Sequence, residues 1–246
     1  MTPQPSLSET FQQFFDIELA NNEEARSRVY HVRYRVYAEE FGYEDINAFP
    51  DKQEKDHYDG RSTHCVIMHK KSGLAAGCVR MVPAAPGTDI GALLPMEEHC
   101  PDALDHEFID SLGLDRNSVC EISRLAVDGA FRRRAGETSS RFGELSGLDI
   151  SAHEERTFSL ISVAAFLAST AMTDLAKRTN VFAMMEPFLP RLLAKSGICF
   201  ERAGEDVDYH GVRAPYFIKT QSAVENMRSE LRELYDAIHD RIRVSY

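Results

Sequence analysis

An α/β fold, with a central mixed twisted sheet flanked by helices, is predicted by three features of the sequence. Short apolar runs of strand length recur, longer stretches carry apolar residues at helical spacing, and the two kinds alternate along most of the chain. The 246 residues can bury a substantial core, and α/β proteins of this length often form one domain, so residues 1–246 are expected to be one.

The elements follow in order. Asn21 with Glu24 reads as a capping box opening a helix whose stripe is Tyr30, Tyr34, Tyr37 and Phe41, widened by Val29, Val32 and Val36 and stopped by Gly42. Tyr43 to Gly60 is an acidic loop without periodicity. His64–His69 and Ala75–Val82, separated by Lys71-Ser72-Gly73, read as a hairpin and as the first two strands. Pro83 to Asn117 is an irregular excursion with a short helix near Leu104–Leu112, and long loops of this kind usually line a site. Val119–Val127 is the next strand, followed by three arginines and a polar stretch reaching Glu155. Arg156–Arg178 is a long helix that is apolar around much of its axis, hence buried. Val181–Met185 is a strand, Phe188–Lys195 a helix closed by Gly197, and Ile198–Arg202 and Val212–Thr220 are strands. Ser222 with Glu225 reads as a capping box for an added C-terminal amphipathic helix over 221–246. Intrachain packing is expected of that helix, with dimerisation the alternative.

Composition excludes several classes. The formal charge is −11, against a surface that coats nucleic acid, since phosphate binding needs clustered Lys and Arg. Five cysteines are scattered without a CxxC pair, which fits reduced thiols in the cytoplasm better than disulfides or zinc. Neither a signal peptide nor a membrane anchor is read; the most apolar run, Leu160–Met172, is too short and too rich in Ser and Thr. His57 beside Asp56 and Asp59 has no second histidine at ligand spacing, so no metal is expected.

Charges inside apolar elements mark the candidate site. Glu121 and Arg124 lie in the run Val119–Val127; alternation puts Glu121 and Ser123 on one face and Arg124 on the other. A charge in a core strand is costly unless paired or used. Glu54, Asp56 and Asp59 crowd carboxylates into six residues, and Arg33 and Arg80 are the candidates to neutralise them. Read from the residues alone, structural pairing explains the strand charges as well as function does, and a solvated surface explains the acidic loop.

Taken together, Arg33 with Tyr37, Glu54-x-Asp56-x-x-Asp59, Gly77-x-x-Arg80 and Glu121-x-Ser123-Arg124 resemble, in order and spacing, the signature of the acyl-homoserine-lactone synthases. Tyr37 stands where those enzymes commonly have Phe, and Tyr43 where they carry Trp. The later part of the chain is more similar to N-acyl amino acid synthases, including the branch associated with exosortase-type protein sorting. The resemblance implies a GNAT-like fold and an N-acyltransferase in which an amine attacks a thioester directly. It implies Glu121, Ser123 and Arg124 as catalytic residues, with Glu121 receiving the proton of the amine. It implies Arg33, Tyr37, Tyr43, Glu54, Asp56, Asp59 and Arg80 as substrate-binding residues. A backbone amide at a bulge in the strand equivalent to Val119–Val127 would stabilise the thioester oxygen.

Arg132-Arg133-Arg134-Ala135-Gly136 resembles the GNAT pyrophosphate loop, with Thr138 where a small residue is usual. Val127, Arg132, Arg133, Arg134 and Gly136 are thereby expected to receive the acyl donor, either acyl carrier protein or acyl-CoA, with no tightly bound cofactor. An exposed basic turn is the plainer alternative for the arginines. For the acceptor, an amino acid and S-adenosylmethionine both remain open. A GNAT-shaped module that binds acyl carrier protein without turnover is the reading from another class.

Overall fold

Residues 5–87, 92–132 and 157–246 are described in a computed structural model of the protein. The chain opens with helix α1 (Leu7–Phe14) and strand β1 (Phe15–Leu19), neither of which the sequence reading expected. Ser6 and Glu9 form a reciprocal capping box for α1, and β1 carries the burial alternation of an amphipathic strand. Five residues of alternation are a short signal, so β1 precedes the two strands expected to be the first.

Helix α2 (Glu23–Arg33) is capped by Asn22, whose side chain accepts from the Ala25 amide, and not by Asn21 as expected. Asn21 instead donates through Nδ2 to the Ser245 carbonyl at 2.6 Å. The helix widens into a π-helical segment, Tyr34–Glu40, and Gly42 ends it in the left-handed region at φ 64°. Strands β2 (Thr63–His69) and β3 (Ala75–Pro83) form the expected hairpin. The excursion after β3 holds short helices α3 (Pro95–His99) and α4 (His106–Ser111) before β4 (Val119–Val127).

The long helix is α5 (Ser159–Leu175), ended by Lys177 at φ 57°. Arg156, where the helix was expected to start, lies outside the described residues. Strand β5 (Asn180–Met185) and helix α6 (Leu189–Ala194) follow as expected. The strand expected over 198–202 shrinks to β6 (Glu201–Arg202), because Gly197 turns the chain at φ 86° and Ile198 drops into the core. Strand β7 (Val207–Asp208) was not expected; β8 (Val212–Lys219) was.

The C-terminal helix proves to be two, α7 (Thr220–Asn226) and α8 (Ser229–Arg243). Ser222 lies inside α7, so the capping box expected there does not form. The break at Met227 packs on the turn at Ser196 and Gly197: the Arg228 amide donates to the Ser196 carbonyl, and a Cβ on Gly197 would fall 1.8 Å from the Asn226 carbonyl oxygen.

Among the described residues the strands run in the order β1-β2-β3-β4-β5-β8-β6, and β7 pairs the start of β8. The sheet is mixed, because β4 and β5 are parallel while the other pairs are antiparallel. On one side α5 covers β2, β3 and β4 and is covered in turn by α8, which also touches α1 and β1. Phe11, Phe15, Ile161, Leu167, Leu234, Ile238 and Ile242 are buried in that layer. On the other side α2 and the π-helical segment after it lay Val29, Val32 and Val36 against Val66, Cys78 and Ala126.

Two irregularities in the sheet shape the site. The β4–β5 ladder ends at Glu121 and Phe182, although β4 runs on to Val127 and β5 to Met185, so the sheet splits. Beside that split, β4 bulges: Cys78 pairs Ala126 but Arg80 pairs Ser123, so Arg124 and Leu125 together face Val79.

Candidate active site

The split in the sheet opens into a cavity of about 860 Å³, walled by β4, β5, α5 and α6 and by the loops around Tyr43 and His210. Glu121 sits at its vertex, where the parallel ladder stops. Its side chain is buried and its Oε2 accepts from the Met96 amide at 2.8 Å, so the excursion between β3 and β4 does line the site, as its length suggested. Burial pushes the Glu121 carboxyl up to about 7, opposed by the Met96 hydrogen bond and by the Arg80 charge.

Arg33, Arg80 and Arg124 interlock with the acidic loop beside Glu121. Arg33, fully buried, donates from Nε to Glu54 Oε2 and from Nη1 to Asp59 Oδ1 at 2.6 Å. Arg80 Nη1 reaches Asp56 Oδ1 at 2.6 Å and Asp59 Oδ1 at 2.8 Å, and its Nε donates to Ser123 Oγ at 3.0 Å. Arg124 Nη2 donates to Glu54 Oε1 at 3.1 Å and to Glu44 Oε1 at 3.0 Å. Burial opposes the charges of Glu54 and Asp59, but the neighbouring guanidinium groups outweigh it and hold both carboxyls below their ordinary range. The acidic loop is therefore no solvated surface. Its charges are neutralised by Arg33 and Arg80, as expected, and also by Arg124.

Arg124 corrects the sequence reading. Strict alternation put it on the face opposite Glu121 and Ser123, yet it joins their cluster. The bulge is the reason: with φ at 50°, Arg124 leaves the pleat and swings its side chain onto Glu54 and Glu44. The carbonyls freed from the ladder are used locally, since the Cys78 thiol approaches Arg124 O and the Tyr37 hydroxyl donates to Leu125 O at 3.1 Å.

Aromatic rings wall the mouth. The Tyr37 ring lies 5.2 Å from the Arg124 guanidinium, and burial pushes its hydroxyl up to about 12. Tyr43 stacks between Phe41 at 5.2 Å and His210 at 4.9 Å. Val127 and Arg132 line the same cavity; Arg132 donates from Nε to the Val127 carbonyl at 2.8 Å and pairs with Glu40. Arg133, Arg134 and Gly136 lie outside the described residues. His57 is half exposed and contacts Glu98 at 3.1 Å.

Several lining residues were missed by sequence reasoning: Glu44, Tyr209, His210 and Arg213. Glu44 belongs to the acidic loop, where its charge beside Tyr43 is a signal for it; the others sit in and after a tight turn that shows no periodicity.

Residues 32–140 match the family model described as the acetyltransferase (GNAT) domain. The expected GNAT-like fold is present, and within it residues 32–140 are similar to that acetyltransferase domain. No curated protein sequence matches it. Among solved structures it is similar to TofI in a ternary complex with an inhibitor and MTA, at 18% identity and a TM-score of 0.56 over 92% of this chain and 99% of that one. It is also similar to BjaI with SAM and isopentyl-CoA, a CoA-dependent acyl-homoserine lactone synthase (15% identity, TM-score 0.56, 93% and 90% covered). FeeM, an N-acyl amino acid synthase from uncultured soil microbes, shares 11% identity with a TM-score of 0.55, 89% and 97% covered. At these identities the likeness is one of fold.

Proposed function

We propose that the whole chain forms one domain that moves a medium- or long-chain acyl group from acyl carrier protein, or from acyl-CoA, onto the α-amine of an amino acid. The observation that carries this reading is the position of Glu121, a buried carboxyl at about 7 placed where the sheet splits into an apolar cavity. A general base works best when its pKa lies near the working pH, and burial, aided by the Glu97 charge, supplies that tuning. In the proposed reaction the amine nitrogen attacks the thioester carbon, Glu121 or a water held by it takes the amine proton, and as the carbon–sulfur bond breaks that proton passes to the departing thiolate, directly or through water, leaving the amide and a free thiol. An amide of the bulged segment 124–127 faces the developing oxyanion, where a fixed donor contributes a few kcal/mol, on the order of 3. Val163, Phe166 and Leu193 offer the acyl chain an apolar wall. Arg132 stands at the cavity for the donor's phosphate, with Arg133, Arg134 and Gly136 following it in sequence. Four of the free cysteines are buried and Cys199 is exposed, which fits a reducing compartment, the cytoplasm.

A second acceptor, S-adenosylmethionine, is favoured by the guanidinium–carboxylate cluster, whose residues are those of the acyl-homoserine-lactone synthase signature. Fold likeness does not choose between them, since BjaI and FeeM match with TM-scores of 0.56 and 0.55. The deciding experiment incubates the protein with long-chain acyl carrier protein, the standard amino acids and S-adenosylmethionine together, with products read by mass spectrometry. An acyl amino acid is expected. An acyl-homoserine lactone with methylthioadenosine selects the second acceptor, and intact donor alone refutes both.

A further inference from the structure

One arginine of the cavity has no partner among the described residues. Arg80, Arg124 and Arg132 line it, and each is committed to a carboxylate of the protein: Asp56 and Asp59, Glu54 and Glu44, and Glu40. Arg213 lines it too, yet among the described residues it has neither an ion pair nor a hydrogen bond to its side chain, and its Nε is buried and unsatisfied. Lys195, a further cation on the lining, is exposed and solvated. A buried guanidinium nitrogen with no acceptor is costly, which makes Arg213 a group waiting for an anion.

The fold holds Arg213 in place. It pairs with Val207 across the β7–β8 hairpin, whose turn uses His210 at φ 56° and Gly211 at φ 93°, with the Gly211 amide donating to Asp208 Oδ1 at 3.2 Å. Its guanidinium carbon lies 6.0 Å from the Tyr43 ring, which stacks on His210 and Phe41. The Arg213 charge is felt at Tyr37 and His210, and at Cys100, which also feels Glu121. Arg213 thus belongs to the polar part of the cavity, with Tyr37 and Glu121, and not to the apolar wall of Val163, Phe166 and Leu193.

We propose that Arg213 is the acceptor-recognition residue, binding the α-carboxylate of the amino acid whose amine is acylated. The assignment rests on the acyl amino acid reading above. The flat guanidinium fork matches a carboxylate, and an α-amino acid brings an amine for Glu121 and an anion for Arg213 on adjacent atoms of one small molecule.

The test supplies the purified chain with long-chain acyl carrier protein and an equimolar mixture of the standard amino acids and their methyl esters. Mass spectrometry then gives the ratio of acyl acid to acyl ester. The wild type is expected to favour the free acids. Arg213→Gln should cut that preference on the order of 10- to 100-fold while ester acylation continues, and Arg213→Lys should restore part of it. A ratio unchanged in Arg213→Gln overturns the assignment. So does an equal fall of both products, which would place Arg213 at the donor's phosphate or in the fold. A wild type that acylates neither acid nor ester overturns the acyl amino acid reading itself, and this subsite with it.

Discussion

Glu121 and Glu54 are both buried carboxyls, and their surroundings drive them in opposite directions. Glu121 has one backbone donor and distant positive charge, so burial dominates and raises it to about 7. For Glu54, Arg33 and Arg124 outweigh burial and hold the carboxyl low. Acyl transfer should therefore rise with pH and level off above about 7, as Glu121 loses its proton. Glu121→Gln should lower turnover on the order of 100- to 10,000-fold with donor binding retained, measured by thiol release beside a donor-binding titration. The same group affects stability. Between its ordinary value of 4.5 and about 7 the folded chain keeps a proton that the unfolded chain has lost, so stability falls as pH rises through that window, by about 3 kcal/mol in all. Glu121→Gln should remove that slope from urea denaturation series. Glu54 and Asp59 have lowered folded values, so their contribution is present above the ordinary carboxylate range and is lost as pH falls through those values. Arg33→Ala leaves buried Glu54 and Asp59 short of their main partner and should cost about 3–5 kcal/mol in the same denaturation measurement at neutral pH.

At the level of elements, β3 and β4 depend on one small residue. Gly77 faces the start of the bulge: a Cβ there would lie 2.9 Å from the Ala126 carbonyl oxygen and 2.9 Å from Ile161 Cγ2 of α5. One contact is backbone, so the strain cannot be relieved by a rotamer change alone. Gly77→Ala should cost about 1–3 kcal/mol by thermal denaturation and reduce turnover in the folded fraction, because α5 and the bulged strand must part to admit the methyl group. Unchanged stability and activity would show that the bulge does not need this close approach. The π-helical segment acts in a related way: it carries Tyr37 to the bulge, where the hydroxyl meets Leu125 O, while the Tyr43 and Glu44 amides return to the Tyr37 carbonyl at 2.7 and 3.2 Å. Helix α2 and strand β4 are thereby tied together at the mouth of the cavity.

Across the whole molecule, the two ends of the described chain meet on the layer behind the sheet. Helix α8 seals α5, α1 and β1 through Leu234, Ile238 and Ile242. Ile238→Ala should destabilise the chain by about 2–5 kcal/mol in urea denaturation while leaving the acceptor preference of the folded protein unaltered, since Ile238 is a core residue that does not line the cavity. Much of this architecture was legible beforehand. The strands Val119–Val127 and Val212–Lys219 and the helix Ser159–Leu175 are long or strongly apolar, and they appear where periodicity put them. The pairing of Arg33 and Arg80 with Glu54, Asp56 and Asp59 was likewise expected, because buried charges of both signs must find each other. The N-terminal strand and the break between α7 and α8 were not, since each depends on contacts with residues distant in sequence. By itself the sequence determined the element types and the charges that had to be paired, which follow from local pattern and from the cost of an unpaired charge, while Glu121 as candidate base came from the resemblance of its motif. Only the tertiary structure decided that Arg124 turns toward Glu54, that the sheet splits at Glu121, and that Arg213 lines the cavity with no partner among the described residues. A register shift, the end of a ladder and a missing partner arise between elements, and no single stretch of chain encodes them.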